Sequence, residues 1–396
     1  MYDSSTQIPT IDLDSVTKPI ASSQGMPGRT YTDPNLFLFE RDHVLGKNWA
    51  GLTFASELPL NGSLLPVEFM GLPLLVTRDQ QGEINVFHNI CSHRGMTLVS
   101  AAQDQARGVR CPYHSWFYDL NGVLKTTPHI GGSDKHEAEG FSCADNNLKA
   151  LRCQVWMGII FINLSADGED FDDFIGPLEQ RWAPFIGNAG ISQLTVPSAQ
   201  APIAIEVAAN WKLAVENYCE AYHLPWVHPA LNRYSPLDKH YNIVAAKNMS
   251  GQGSYAYTLC EVAGTELPQF EQWPEDKLRN AEYISLYPNV LLGLQADHAF
   301  AMILQPLAAD KTIEKLQLSY LGDGAESNQY QVSRDAVTES WQQVFGEDIF
   351  AVEGMQNARH SPGFSGGVFS PVQDIPSHHF HSWVADQYKL GQQQAE

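Results

Sequence analysis

Two short stretches of the sequence each pair a cysteine with a histidine. Cys91 and His93 occur in NICSHRG, and Cys111 and His114 follow in CPYHSWFYDLNGVL, with seventeen residues between His93 and Cys111. Thiolates hold iron–sulfur clusters, and a cluster in which two histidines replace two of the four cysteines is of the Rieske type. A Cys₂His₂ zinc site is the alternative, but such sites usually have two closely spaced cysteines followed by two closely spaced histidines. The pattern therefore predicts a Rieske [2Fe–2S] cluster bound by these four side chains.

A second group of potential metal ligands lies in NWKLAVENYCEAYHLPWVHP, residues 210–229. The spacing predicts a helix that carries Glu220 and His223 on one face, since residues three apart are neighbours on a helix surface. Pro225 is expected to end or kink this helix, which would bring His228 beside His223. Two histidines and one carboxylate form an iron site that leaves coordination positions open for O₂ and substrate. Taken alone, a histidine pair near a helix end more often has a structural role, but a Rieske site in the same chain favours metal binding.

The carboxylate of such a site must come from a distant part of the chain. The stretch QQVFGEDIFAVEGMQ, residues 342–356, contains three acids: Glu347, Asp348 and Glu353. Residue type and spacing do not separate Glu347 from Asp348, and either would also suit a solvated helix surface.

Two regions with different patterns must position these ligands. Between about residues 50 and 165, short β-rich runs are divided by QQGEIN and DLNGVL, which are typical of hairpin turns, and VWMGIIFINL predicts one or two buried strands. Beyond residue 165, helices are predicted over DFDDFIGPLEQRWAPFIG and SRDAVTESWQQVFGEDIFAVEGMQNARH, with strands such as APIAIEVAA and KTIEKLQLSYLG between them. We therefore expect an α+β protein with an N-terminal arm and helix (1–45), a β domain (46–165) and a second domain (166–396).

These motifs resemble those of ring-hydroxylating oxygenase large (α) subunits, a family of Rieske non-haem iron oxygenases. YTDPNLFLFE near the start and SHHFHSW near the end are also similar, so the resemblance covers nearly the whole chain. It implies an all-β Rieske domain followed by a helix-grip catalytic domain, an antiparallel sheet with helices. It also implies that Cys91 and Cys111 bind one iron of the cluster and that His93 and His114 bind the other.

The same resemblance implies the ligands of a mononuclear Fe(II). His223 and His228 match the two iron histidines of the family. The family's ligand Asp lies five residues before a Glu that is soon followed by Gln, and Asp348, Glu353 and Gln356 fit that pattern.

The resemblance further implies a role for Glu220. In the family, the acid at this place connects a histidine of the mononuclear site to a cluster histidine of a neighbouring subunit, which here would be His114. Most members have Asp at this place, whereas Glu is similar to the carnitine, choline and glycine betaine oxygenases. A methylated or quaternary ammonium substrate is therefore expected, with aromatic ring hydroxylation or O-demethylation as the alternative.

The partners implied are a flavin/iron–sulfur reductase that delivers NAD(P)H electrons, with or without a ferredoxin, together with O₂, a small-molecule substrate and further copies of the chain in a trimer. Two other classes of protein remain to be weighed. A Rieske electron carrier would lack the second iron, and a ligand-binding protein would lack oxygenase activity.

Composition narrows the partners further. The 396 residues include 45 acids and 24 bases, for a formal net charge of −21, which disfavours nucleic acid and anionic membranes. The net negative charge would suit a cationic substrate or a basic redox partner. The alternative is that the acidic surface only keeps the protein in solution. The start of the chain lacks a basic and apolar leader, and the longest apolar run, VWMGIIFINL, is about half of what spans a bilayer. We expect a cytoplasmic protein.

Two groups of aromatic and imidazole side chains remain after these assignments. One consists of candidates for aromatic faces around a cation, with core packing as the alternative: Trp226, Tyr234, Tyr255 and Tyr257. The other is predicted to lie on a strand and pack the sheet: His378, His379 and His381.

Overall fold

The computed structural model describes residues 11–187, 189–257 and 264–395. The chain divides into two compact units, of which one is Gly51–Asp167. The other combines the described residues up to Ala50 with those from Gly168 onward. The described residues of the N-terminal segment, which was expected as a division of its own (1–45), therefore group with the C-terminal residues.

The unit from Gly51 to Asp167 is built of short antiparallel strands, as predicted. They form three sheets with the orders β1-β9-β8, β2-β3-β4 and β5-β6-β7. The strands are β1 (Ala50–Phe54), β2 (Leu64–Phe69), β3 (Leu72–Arg78), β4 (Ile84–His88), β5 (Val109–Arg110), β6 (Phe117–Tyr118), β7 (Leu124–Thr126), β8 (Arg152–Trp156) and β9 (Ile159–Asn163).

The two predicted hairpin turns have the same pattern of local hydrogen bonds. Asp79 opens the β3–β4 turn and Asp119 opens the β6–β7 turn, and each carboxylate accepts the backbone N–H groups two and four positions later. A glycine three positions after each aspartate, Gly82 or Gly122, takes a positive φ that residues with a side chain rarely adopt. The prediction of hairpins at QQGEIN and DLNGVL is confirmed.

The second unit contains one antiparallel sheet, as predicted for the α+β domain. Its order is β10-β17-β16-β15-β14-β13-β12, and β11 also pairs with β17. The strands are β10 (Leu194–Thr195), β11 (Ile203–Val207), β12 (His240–Ala246), β13 (Met249–Ser254), β14 (Ala281–Leu286), β15 (Val290–Leu294), β16 (His298–Ala308) and β17 (Lys311–Leu321). The strands β12 and β13 had no counterpart in the sequence prediction.

The helices of this unit precede, interrupt and follow its sheet. They are α1 (Arg29–Thr32), α2 (Pro34–Glu40), α3 (Phe171–Ile186), α4 (Trp211–Cys219), α5 (Leu224–Val227), α6 (Leu231–Tyr234), α7 (Gln331–Ala358) and α8 (Ile375–Ala395). Both α4 and α7 contact the sheet, through β14 and β16 for α4 and through β11 for α7. Among the described residues, no helix is long and apolar enough to cross a membrane.

Two predictions about helices were wrong. The helix expected to carry both Glu220 and His223 ends at Cys219, because Glu220 adopts an extended conformation and its carboxylate accepts the backbone N–H groups of Tyr222 and His223. An acid side chain bonded to its own backbone in this way competes with helix continuation. Pro225 does not end a helix but lies in the first turn of α5, where its missing N–H costs no hydrogen bond.

The histidines near the C-terminus lie on α8, so the prediction of a strand was wrong. The buried residues of this segment recur with helical spacing: Phe380, Trp383, Val384 and Tyr388. The histidines themselves contact backbone groups. His378 and His379 donate from Nε2 to the carbonyls of Lys18 and Ala246, and His381 Nδ1 accepts from the Met26 N–H.

Candidate active site

The four residues predicted to bind the cluster lie on two loops of the Gly51–Asp167 unit. In each loop the cysteine N–H donates to the carbonyl five positions later, over 2.8 Å for both Cys91 and Cys111. The cysteine carbonyl in turn accepts the N–H four positions later, from Gly95 or Ser115, and both of these residues have a positive φ. The two loops therefore present their ligands with the same backbone geometry.

The side chains of these loops converge. Cys91 and Cys111 are buried, whereas His93 is exposed and His114 is half-buried. The Nδ1 atoms of His93 and His114 lie 3.2 Å apart. Two nitrogens bound tetrahedrally to one first-row metal at roughly 2.0–2.1 Å would be separated by a similar distance. Two buried thiols and two facing imidazole nitrogens match the donor set of a Rieske cluster.

Two aromatic side chains support this site. The Tyr118 hydroxyl lies 3.3 Å from Cys91 Sγ and accepts the Ser92 N–H over 3.2 Å. Burial, followed by the neighbouring Cys91, raises the pKa of Tyr118 to about 12, so the phenol keeps its proton at neutral pH. Trp116 stacks on the His93 ring with a centroid distance of 4.7 Å and an interplanar angle of 12°.

The second predicted group also comes together. His223, His228 and Asp348 each offer a ligand atom, and these atoms lie within 4.8 Å of one another. Asp348 Oδ1 on α7 is 2.9 Å from His228 Nε2 and 3.7 Å from His223 Nε2. The His228 side chain is 2% exposed, and those of His223 and Asp348 are 16% exposed. Two imidazoles and one carboxylate in this arrangement suit a divalent iron.

A carboxylate lies within hydrogen-bond distance of the Nδ1 atom of each imidazole. His223 Nδ1 lies 2.6 Å from Glu220 Oε1, and His228 Nδ1 lies 2.8 Å from Glu347 Oε2. Burial lowers the pKa of His228, but the hydrogen bonds and charges of Asp348 and Glu347 outweigh burial and raise it. Residue type and spacing did not separate Glu347 from Asp348 as the third ligand, and the family resemblance favoured Asp348. In the structure, Asp348 lies close to the Nε2 atoms of both histidines, whereas Glu347 contacts only Nδ1 of His228.

An open cavity, about 460 Å³ including the solvent space at its mouth, adjoins the three potential ligands. Four aromatic rings line it: Tyr218, Tyr283, Trp341 and Phe345. They contact one another, with centroid distances of 5.8 Å for Trp341–Phe345 and 5.9 Å for Tyr283–Trp341. The remaining polar lining is uncharged or imidazole: Asn217, Ser235, His240 and Gln252. None of the four aromatic residues considered from the sequence is among the described residues that line this cavity.

A smaller cavity, about 310 Å³ including open solvent space, shares four lining residues with the first: Asn217, Tyr218, Phe345 and Asp348. Glu314 on β17 also lines it and is 7% exposed. Burial, followed by the charge of Asp348, raises the pKa of Glu314 to about 8. Sequence reasoning missed this acid, because nothing in KTIEKLQLSYLG distinguishes it from an outward-facing strand residue.

Comparison with known protein families agrees with both sites. Residues 48–137 match the model of the Rieske [2Fe-2S] domain, and residues 198–390 match that of the ring hydroxylating alpha subunit (catalytic domain). The two ranges do not overlap and together cover more than half of the chain. A cluster domain joined to a catalytic domain with a mononuclear iron defines a Rieske non-haem iron oxygenase, an oxidoreductase that receives its electrons from a reductase. The chain belongs to the family of ring-hydroxylating oxygenase α subunits.

Individual relatives match over most of their length. The glycine betaine monooxygenase oxygenase subunit of Pseudomonas aeruginosa is 25% identical over 410 residues, covering 94% of this chain and 91% of the relative. The carnitine monooxygenase oxygenase subunit of Escherichia coli is 24% identical over 377 residues, covering 92% of this chain and 94% of the relative. A solved structure of a quaternary ammonium Rieske monooxygenase is 22% identical with a TM-score of 0.78, over 96% of this chain and 100% of that one. The last similarity confirms the fold.

Proposed function

We propose that this oxygenase component hydroxylates an N-methyl group of a methylated or quaternary ammonium compound. The observation that carries the proposal is the wall of four aromatic rings beside His223, His228 and Asp348. A quaternary ammonium group cannot donate a hydrogen bond, so a site that binds it needs aromatic faces or a nearby carboxylate. The substrates named for the betaine and carnitine relatives belong to the same chemical class.

We assign the metal-binding roles to the residues that converge. His223, His228 and Asp348 would hold the mononuclear Fe(II), with Asp348 rather than Glu347 as the third ligand. In the Rieske domain, Cys91 and Cys111 would bind one iron, and His93 and His114 the other. When bound, the cluster supplies single electrons and the mononuclear iron supplies the site at which O₂ reacts.

The protein side chains orient these groups. Glu220 accepts the Nδ1–H of His223 and Glu347 accepts that of His228, so that both Nε2 atoms stay unprotonated for a metal. The aromatic wall excludes water and places a methyl group towards the three ligands. Reaction of one N–CH₃ group with O₂, two electrons and two protons gives N–CH₂OH and water, and the N–CH₂OH product releases formaldehyde and the demethylated amine.

The electron path is part of the proposal. Glu220 would connect His223 to His114 of a neighbouring subunit, in a homotrimer whose head-to-tail contacts close into a ring. A flavin/iron–sulfur reductase, with or without a ferredoxin, would deliver NAD(P)H electrons to the cluster. We place the complex in the cytoplasm, where NAD(P)H is available.

A substrate screen tests the proposal. Iron-loaded protein, a flavin/iron–sulfur reductase, NADH and O₂ are incubated with betaines, carnitine, choline, N-methylated heterocycles and aromatic acids. We expect formaldehyde or another aldehyde to form in proportion to the NADH consumed, with methylated ammonium compounds only. Asp348→Ala protein is the control for release that does not depend on the mononuclear site.

Other outcomes would contradict the proposal in different ways. Phenols or cis-diols formed from aromatic acids alone would favour ring hydroxylation. A preparation that accepts electrons in its cluster but binds no further iron would be an electron carrier. One that binds ligands and holds iron without consuming O₂ would be a binding protein.

A further inference from the structure

We propose that the substrate is a methylated ammonium cation that carries no carboxylate group. This inference rests on the proposed function and narrows it, because betaines combine the ammonium group with a carboxylate. The charges that line the two cavities carry the argument.

Acids line the cavities, but lysine and arginine do not. Asp348 borders both cavities and Glu314 borders the smaller one, whereas no lysine or arginine is among the described residues that line either. The residues outside the described ranges, namely 1–10, 188, 258–263 and 396, include neither a lysine nor an arginine. A carboxylate that leaves water for this pocket would lose its hydration without gaining a cationic partner, which is strongly unfavourable.

Glu314 is an acid without a partner in the described part of the chain. Its carboxylate makes no hydrogen bond or ion pair there, although the residue is 7% exposed and lines the smaller cavity. Buried carboxylates are normally paired with a cation or bound to a metal. The strand register accounts for the direction of the Glu314 side chain. Glu314 pairs with Leu304 and lies two positions from Leu316, so Glu314 and Leu316 share a face of the sheet. Leu316 pairs with Met302, which lines the same cavity. The carboxylate therefore points towards α4 and α7.

This acid suits a cationic substrate. Three carboxylates surround the metal site, because Glu220 and Glu347 lie at the outer nitrogens of the two histidines that face Asp348. Together they favour a cation in the adjoining cavity. Glu314 lines the smaller cavity beside Tyr218 and Phe345, so a cation bound against these rings would stabilise the ionised form of its carboxyl over the neutral form that burial favours. The ammonium group would in turn be the missing partner of Glu314.

The other end of the substrate meets neutral polar groups. Asn217, Ser235 and Gln252 line the larger cavity beside His240, whose pKa is lowered by burial. These groups can bond a hydroxyl, carbonyl or ester, but they do not neutralise a carboxylate.

Three substrates that share a trimethylammonium group test the inference. They are (2-hydroxyethyl)trimethylammonium, (carboxymethyl)trimethylammonium and the methyl ester of the latter, and kcat/KM is measured for each by formaldehyde release. We expect the two net cations to exceed the zwitterion by about tenfold or more, a difference of roughly 1.4 kcal/mol. The ester is the matched control, because it restores the net charge without removing the carbonyl.

Glu314→Gln tests the role of the acid. We expect KM to rise for both cations, kcat to change little, and the preference for cations over the zwitterion to shrink, with iron content unchanged. The matched control is Glu206→Gln, an exposed acid on β11 that pairs with Lys311. If Glu314→Gln fails to fold or to hold iron, the three-substrate comparison in the unmodified protein still decides the substrate class.

Each outcome supports or overturns the inference. A zwitterion consumed as efficiently as the cations would overturn it while leaving the proposed function intact. An unchanged preference in folded Glu314→Gln would remove Glu314 from the recognition of charge. If no methylated ammonium compound is consumed, the proposed function and this inference both fail.

Discussion

His228 Nδ1 lies 2.8 Å from Glu347 Oε2, and Nε2 of the same ring lies 2.9 Å from Asp348 Oδ1. Two consecutive acids of α7 thus approach opposite nitrogens of one buried imidazole. Because the Nδ1–H is donated to Glu347, the lone pair of Nε2 remains for a metal. Glu220 lies 2.6 Å from His223 Nδ1 in the same way, so each of the two proposed imidazole ligands is oriented by an acid at its other nitrogen.

This relationship predicts different effects for the two acids. Asp348→Ala should lose the mononuclear iron and keep the Rieske cluster, since a ligand is removed. Glu347→Gln should keep all three ligands but weaken iron affinity by roughly 10- to 100-fold, as is typical when the partner of a ligating histidine is changed. Iron analysis during titration with a chelator measures the affinity, and the Rieske electron paramagnetic resonance signal reports on the cluster.

Glu339→Gln is the matched control, because Glu339 is an exposed acid on the same helix. Its iron affinity should equal that of the unmodified protein. If Glu347→Gln lost iron completely while Asp348→Ala retained it, the assignment of the third ligand would be off by one residue.

Glu220→Gln should separate metal binding from electron transfer. We expect iron affinity to weaken as in Glu347→Gln, so the protein is assayed with excess Fe(II) to fill the site. Coupled turnover should still fall by about 100-fold, because the negative charge beside His223 is lost. Stopped-flow absorbance of the reduced cluster follows its reoxidation. Glu220→Asp keeps the charge on a shorter side chain, and its coupled turnover should lie between that of the unmodified protein and that of Glu220→Gln. Full activity of Glu220→Gln would show that Glu220 serves only to form the turn after α4.

The sequence was most informative where ligands and scaffold are local. Each cluster loop holds its cysteine and histidine within four residues, so the motif and the backbone that shapes it coincide. The end of α4 was less predictable, because helical spacing continues through Glu220 while its side chain bonds instead to the backbone N–H groups that follow. The spacing of apolar residues alone does not reveal that the Glu220 side chain competes with continuation of the helix.

The cavity could not be derived from sequence patterns. Its aromatic wall combines Tyr218 of α4, Tyr283 of β14, and Trp341 and Phe345 of α7, which meet only when the helices cover the sheet. Glu314 lies in a strand whose alternation gives two faces but not which of them is covered. The sequence indicated the metal chemistry, whereas the surroundings of the substrate needed the packed structure.

Tyr118→Phe should lower the reduction potential of the cluster. The Tyr118 hydroxyl lies 3.3 Å from Cys91 Sγ, and a hydrogen bond to a ligating sulfur stabilises the more negative, reduced cluster. We expect a decrease on the order of tens of millivolts, since 59 mV corresponds to a tenfold change for one electron. A redox titration followed by absorbance measures the potential. Tyr113→Phe is the control, because Tyr113 is an exposed tyrosine of the second cluster loop. An unchanged potential in Tyr118→Phe would show that the hydroxyl does not bond to the sulfur.

Glu216→Gln should change how stability depends on pH. Glu216 accepts from the Tyr31 hydroxyl over 2.5 Å, and it lies 3.2 Å from His381 Nε2 and 3.7 Å from an Arg359 nitrogen. Burial raises the pKa of this carboxyl, but the charges of His381 and Arg359 and the Tyr31 hydrogen bond outweigh it, so the pKa lies below its usual 4.5.

A lowered carboxyl pKa stabilises the folded state above the unfolded pKa of 4.5, and this contribution is lost as pH falls through the folded value. We therefore expect Glu216→Gln to be less stable than the unmodified protein by about 3–5 kcal/mol at neutral pH, since one partner of a buried ion pair is removed. The difference should narrow as pH falls from 4.5 through the lowered pKa of the folded carboxyl, where the native carboxylate itself becomes protonated. Urea unfolding followed by circular dichroism across this range measures both proteins, with Glu339→Gln as the exposed control. A difference that stays constant with pH would show that Glu216 contributes through packing and not through its charge.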